Sequence, residues 1–189
     1  MSTFRTSVRL LLLALCCAGP ALVFGQFLTE DDLLQPTRLL DSELSVDDPA
    51  NKAAVWQKGR KNELLLEQYS PSGFDALPNV ARVAQEGVRN EMLLTQVGGG
   101  NELYAIQMGR DNLLVSYVEG WDNQTLIQQI GNGNEIQQTI LNSTNILSEF
   151  TQIGDDNRII QEIQGMSDQQ FHVIQQGNNM EAIIRQGPH

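Results

Sequence analysis

The sequence predicts an all-β protein: a β-solenoid of about six two-strand coils, with two parallel sheets facing each other across a thin core. Three observations predict it. An Asn recurs with a Gln, or an aliphatic stand-in, six residues later, and the copies follow one another almost always at eleven residues. Within a copy the residues alternate: Asn90, Met92, Leu94 and Gln96 share one face, as do Asn101, Leu103, Ala105 and Gln107, while Glu91, Thr95 and Glu102 fall between. Alternation with period two reads as a strand buried on one side. Finally, alternate copies match better than adjacent ones. One column holds Gln57, Gln85, Gln107, Gln129, Gln152 and Gln175 without a gap, and the other holds Gln68, Gln96, Val118, Ile140, Ile163 and Gln186. Residues 22 apart are therefore vertical neighbours, and one coil is strand, turn, strand, turn. With strands ~4.8 Å apart, six coils make a rod roughly 29 Å long.

The elements follow in order. Residues 1–25 read as a secretory signal: Arg5 and Arg9, an apolar run from Leu10 too short to span a membrane, then small residues up to Gly25. Both cysteines, Cys16 and Cys17, lie in this segment, so a processed chain would carry none and need no disulfide. Residues 26–50 form an acidic leader, with Glu30, Asp31, Asp32, Asp41, Glu43, Asp47 and Asp48 against Arg38 alone. It reads as a flexible segment, as a tag for an export machine or as a partner-binding helix. The repeat domain spans 51–189. Its first strand holds Asn51, Ala53, Val55 and Gln57, and a loop insertion at 69–78 is marked by Pro71, Gly73 and Pro78. The period slips by one residue near Gln152 and again near Gln175, within or beside turns.

The amides carry most information. A buried Gln or Asn is costly unless its amide is bonded. In an in-register stack each meets its twin above and below, forming the ladder that stabilises cross-β structure. The predicted ladder comprises the Gln residues of both columns with Asn62, Asn90, Asn101, Asn112, Asn123, Asn134, Asn145 and Asn157. Turns are expected at Gly59, Gly87, Gly98, Gly109, Gly120, Gly131, Gly154, Gly165 and Gly177.

No enzyme is expected. His172 and His189 are far apart, and no nucleophile elbow, zinc-protease motif or phosphate loop occurs. No cofactor or metal site is predicted. The triplet Gly98-Gly99-Gly100 lies in a turn of the repeat, and the sequons starting at Asn123 and Asn142 are read as repeat slots rather than glycan sites. Net charge is −11, and loss of residues 1–25, with two Arg and no acid, leaves about −13, which argues against nucleic acid as a partner. Leu93, Tyr104, Ile106, Leu113, Val115, Tyr117, Leu126, Ile160 and Ile183 point outward in this register, more apolar surface than a monomer needs. No capping helix follows the last coil, so rods are expected to add end to end.

Gln-x-Gly-x-x-Asn followed by x5-Gln, as at Gln85–Gln96 and Gln96–Gln107, resembles the repeat of the curlin family over about residues 51–187. The resemblance implies curli: extracellular functional amyloid that supports adhesion and biofilm. It further implies export through an outer-membrane pore with periplasmic accessory proteins, self-assembly and, for one subunit type, attachment at the cell surface. The Leu- and Ile-rich strands and Val83-Ala84-Gln85-Glu86-Gly87 are more similar to the family's minor, nucleating subunit than to its major fibre subunit, which then becomes the partner. The major-subunit reading and a monomeric β-solenoid adhesin are the alternatives.

Overall fold

The computed structural model describes residues 6–13, 51–70 and 77–187, the first of these as backbone only. Eleven of the twelve described strands form two columns. The first stacks β2 (Lys52–Arg60), β4 (Val80–Val88), β6 (Glu102–Arg110), β8 (Gln124–Asn132), the second half of β9 (Glu135–Ile153) and β11 (Ser167–Gln176). The second stacks β3 (Glu63–Ser70), β5 (Glu91–Gly99), β7 (Leu113–Trp121), the first half of β9, β10 (Arg158–Gln164) and β12 (Glu181–Gln186). Every neighbour within a column is parallel. The chain is thus a parallel β-solenoid of six two-strand coils, with the continuous β9 passing from one column to the other.

The predicted register holds. Gln57 stands over Gln85, then Gln107, Gln129, Gln152 and Gln175. Leu66 stands over Leu94, and Met92 over Leu114. Alternation puts Leu64, Leu66, Ala81, Val83, Met92, Leu94, Leu103, Leu114, Ile136, Phe150 and Ile159 into one core between the columns. Val118, Ile140, Ile146 and Ile163 make a smaller cluster beside it. Leu and Ile at these sites bury their side chains against both facing strands, the main apolar contribution to the stack.

Both slips of the period fall in one corner, between the second and first columns. Val118 is followed five residues later by Asn123, but Ile140 reaches the matching position only at Ile146. The pairing of β7 with β9 breaks between Val118 and Gly120 to admit the extra residue. A corner, unlike a strand, absorbs it without turning the core face outward.

Strand β1 (Thr6–Leu13) lies antiparallel on β3, from Thr6 opposite Ser70 to Leu13 opposite Glu63. It belongs to the segment read as an export signal. The remainder of that segment, the acidic leader at 26–50 and residues 71–76 of the insertion lie outside the described residues.

Candidate functional site: amide ladders and the ends of the stack

The first-column Gln ladder is continuous. Each Nε2 donates to the Oε1 of the Gln one coil further on, from Gln57 to Gln175. The four bonds after the first measure 2.8–3.0 Å. The second N–H of each Gln crosses the core to a backbone carbonyl of the other column: Glu63, Glu91, Leu113, Glu135 and Arg158 for Gln85 to Gln175. The ladder therefore runs along the rod and also stitches its two sheets. Gln107→Ala removes both of its bonds along the ladder, leaves Gln129 Oε1 without its donor and opens a void. A loss of about 2–4 kcal/mol is expected, read as a lowered denaturant midpoint.

Two Asn columns line the corners. Asn62, Asn90, Asn112, Asn134 and Asn157 form one, and Asn79, Asn101 and Asn123 the other. The backbone N–H of each Asn donates to the Oδ1 of the Asn one coil earlier, and from Asn101 onward the Nδ2 does too, all at 3.0–3.2 Å. The Nδ2 also donates to the carbonyl of the turn glycine one coil ahead: Asn112 to Gly131 at 2.9 Å, Asn157 to Gly177 at 2.7 Å. Here lies the reason for Gln, Gly and Asn at fixed spacing. The glycine leaves its carbonyl where the Asn of the previous coil can reach it.

Four positions differ from the expectation. Asn145 is not in a ladder: the extra corner residue moves Ile146 into the column, where its N–H takes Asn123 Oδ1, and Asn145 is exposed and bonds Asp168. Gln186 is exposed and stands on Ile163, not on an amide. Gly165 has φ +63, unlike the +111 to +147 of the other eight, and Ser143 takes the place that Gly98 and Gly120 hold above it. Asn142 is an exposed corner residue with φ +49, not a repeat slot. Accordingly Asn145→Gly should stay within about 0.5 kcal/mol of wild type, while Asn123→Ala, which strips Ile146 of its acceptor, should lose about 2 kcal/mol. Thermal unfolding of the pair checks the contrast.

The sequence reading missed a third polar row, inside the core. Ser116 Oγ donates to Gln138 Oε1 at 2.6 Å, Gln138 Nε2 to Gln161 Oε1 at 2.9 Å, and Ser148 Oγ to the same Gln161 oxygen at 3.0 Å. All four side chains are buried. The signal was present: each of Ser116, Gln138 and Gln161 sits four residues after a column Asn, where other coils carry Leu, Val or Ala.

The outer faces carry ordinary surface electrostatics. Arg89 and Asp111 form an exposed pair, and the hydrogen bond from Arg89 holds the Asp111 carboxyl below its usual range. Burial, and then Glu102, pushes the Tyr104 phenol up, while Arg82, 5.2 Å from the ring centre and bonded to the hydroxyl, opposes it. Among the described residues no group of three or more His, Cys, Asp or Glu could hold a metal ion.

The two ends of the stack are complementary. At the C-terminal end, Gln175 Nε2 has Arg158 O as its acceptor among the described residues, so one N–H is unused and faces outward along the rod. At the N-terminal end, among the described residues, Gln57 begins the same ladder with a free acceptor side and the buried Gln68 Oε1 has no partner. Gln68 Nε2 donates onward to Gln96 at 2.8 Å, so its oxygen faces the start of the rod. In the Gln ladder one end thus offers a donor and the other acceptors, while the Asn ladders run the opposite way and leave Asn51 Nδ2 without a partner among the described residues at the N-terminal end.

Comparison with known proteins returned no match: no family model, no characterised protein and no solved structure is similar to this chain.

Proposed function

We propose that this chain is an exported subunit of an extracellular amyloid fibre of the curli kind, and that it seeds fibre growth at the cell surface. The observation that carries this reading is the unfinished state of the Gln ladder at both ends, a donor at one and acceptors at the other. A chain that added one more coil in the 22-residue register would place its Gln57 on Gln175 and its Gln68 on Gln186. Phe171, Val173, Ala182 and Ile184, only partly buried in the last two strands, would gain the cover that inner coils have. Backbone pairing and amide bonding arrive together, as in strand addition to a sheet edge. Two C-terminal ends would oppose Gln donor to Gln donor, so assembly is head to tail and polar.

Charge supports the same direction. Lys52, Lys58, Arg60 and Lys61 sit in the first coil, whereas from Leu113 onward Arg158 and Arg185 face nine acids. Strand β1 occupies the edge of β3, and its removal with an export signal would free that edge for pairing. A template lets an incoming chain skip closure of its first coil, the slow step of unassisted growth.

The test is seeding. Substoichiometric protein, added to a fresh major-type curlin chain, should abolish the thioflavin lag. An unchanged lag, with rapid self-polymerisation of this chain alone, would move it to the fibre-subunit role. A stable monomer in sedimentation at high concentration, without seeding, would reject the amyloid reading.

A further inference from the structure

We propose that the acidic segment at residues 26–50 docks on the outer face of the first column, across Trp56, Ala84 and Ile106. These three stand one above another, on the side away from the core. Ala84 and Ile106 are nevertheless 9% and 6% exposed, although no described strand packs over that face. Further down the same row Ile174 is 61% exposed. The buried members of this row are thus Ala84 and Ile106, in the second and third coils, near the point where the segment enters the fold at Asn51.

A second observation identifies the chemistry of the occupant. Lys52 is 9% exposed and its Nζ is buried without a partner among the described residues. Two other cations of this face are engaged: Lys58 with Glu86 at 2.7 Å, and Arg82 with the Tyr104 hydroxyl at 2.7 Å. Glu102 is bonded to the same hydroxyl. A desolvated ammonium calls for a carboxylate. Asp47 and Asp48 lie five and four residues before Lys52 in the chain, close enough to reach it, and the segment's leucines supply the apolar cover that Ala84 and Ile106 require. Seven acids against one Arg complement the basic first coil. Docked there, the segment masks a lateral apolar strip and leaves the ends of the rod as the free surfaces, which favours linear growth over side-by-side association.

Trp56 reports on this directly. The chain has two Trp, and Trp121→Phe leaves Trp56 alone in the full-length protein. Acrylamide quenching of Trp56 should be weak and independent of protein concentration. Neutralising Asp47 and Asp48 to Asn together with Leu39→Ser and Leu40→Ser should roughly double the quenching constant, as a half-buried indole becomes exposed, with the β-sheet circular dichroism unchanged. Lys52→Gln should act in the same direction. These leader substitutions lie outside the solenoid, so folding of the reporter is not at stake. Quenching that ignores the leader substitutions overturns the proposal, and protection that appears only as concentration rises assigns the strip to a second copy instead.

Discussion

Gly109→Ala is expected to prevent the native stack from forming. Gly109 has φ +119, a region closed to side chains with a Cβ, and a Cβ built there would stand 1.9 Å from the carbonyl oxygen of Gly131. That oxygen cannot retreat. It accepts the Nδ2 of Asn112, which itself bonds Asn90 Oδ1 and the carbonyl of Met108. Relief of the clash therefore requires breaking the corner ladder or the pairing of β6 with β8. A loss above about 5 kcal/mol follows, exceptional for one methyl group and comparable with the whole stability of a typical domain. The expected result is no recovery of the β-sheet circular dichroism after dilution from denaturant, and no fibre.

Much of this was legible in the residues because the repeat leaves little freedom. Six Gln at one inward slot cannot be explained by a surface, and their split into columns 22 apart disclosed the two-strand coil. The Asn and Gly slots followed from the same count. What escaped had local physical causes. Counting elevens carries the frame through Asn145, but the corner there holds one more residue, so Ile146 enters the column and the amide turns out to solvent. Gln161 falls on the core face with Asn157, Ile159 and Ile163, but a single polar residue among aliphatic slots does not announce a row, whereas Gln138 and Gln161 in vertical register make a ladder of their own. Gln186 occupies the expected register, but the aliphatic Ile163 above it offers no amide.

The direction of the ladders was beyond reach of the sequence altogether. Gln is both donor and acceptor, and only the orientation of each amide tells which end of the stack offers which. With Val118 beneath it, Gln96 turns its N–H groups to the carbonyls of Val80 and Asn101 instead. The second-column ladder therefore ends after one bond, and the first column alone runs the full length of the rod.

Gly177→Ala is expected to leave the folded monomer standing and to stop growth at its C-terminal end. Gly177 closes the column Gly59, Gly87, Gly109, Gly131, Gly154, Gly177. Each of the first five would drive a Cβ to within 1.9–2.0 Å of the next carbonyl oxygen. Gly177 has no coil beyond it, and its nearest neighbour would be Met180 Cε at 3.5 Å, an ordinary contact. The substitution then bears only the strain of φ +136, about 1–3 kcal/mol. In a head-to-tail junction, however, Gly59 of the next molecule takes the place below Gly177, and the added methyl meets its carbonyl as the inner positions would. The N-terminal end of the variant is untouched. It should still join the end of a growing fibre and then refuse a successor, acting as a chain terminator. Mixed substoichiometrically with wild-type protein, it should lower the elongation plateau and shorten the fibres while sedimenting as a folded monomer on its own. Fibres of full length in the mixture, with the variant incorporated, would show that growth does not pass through this end.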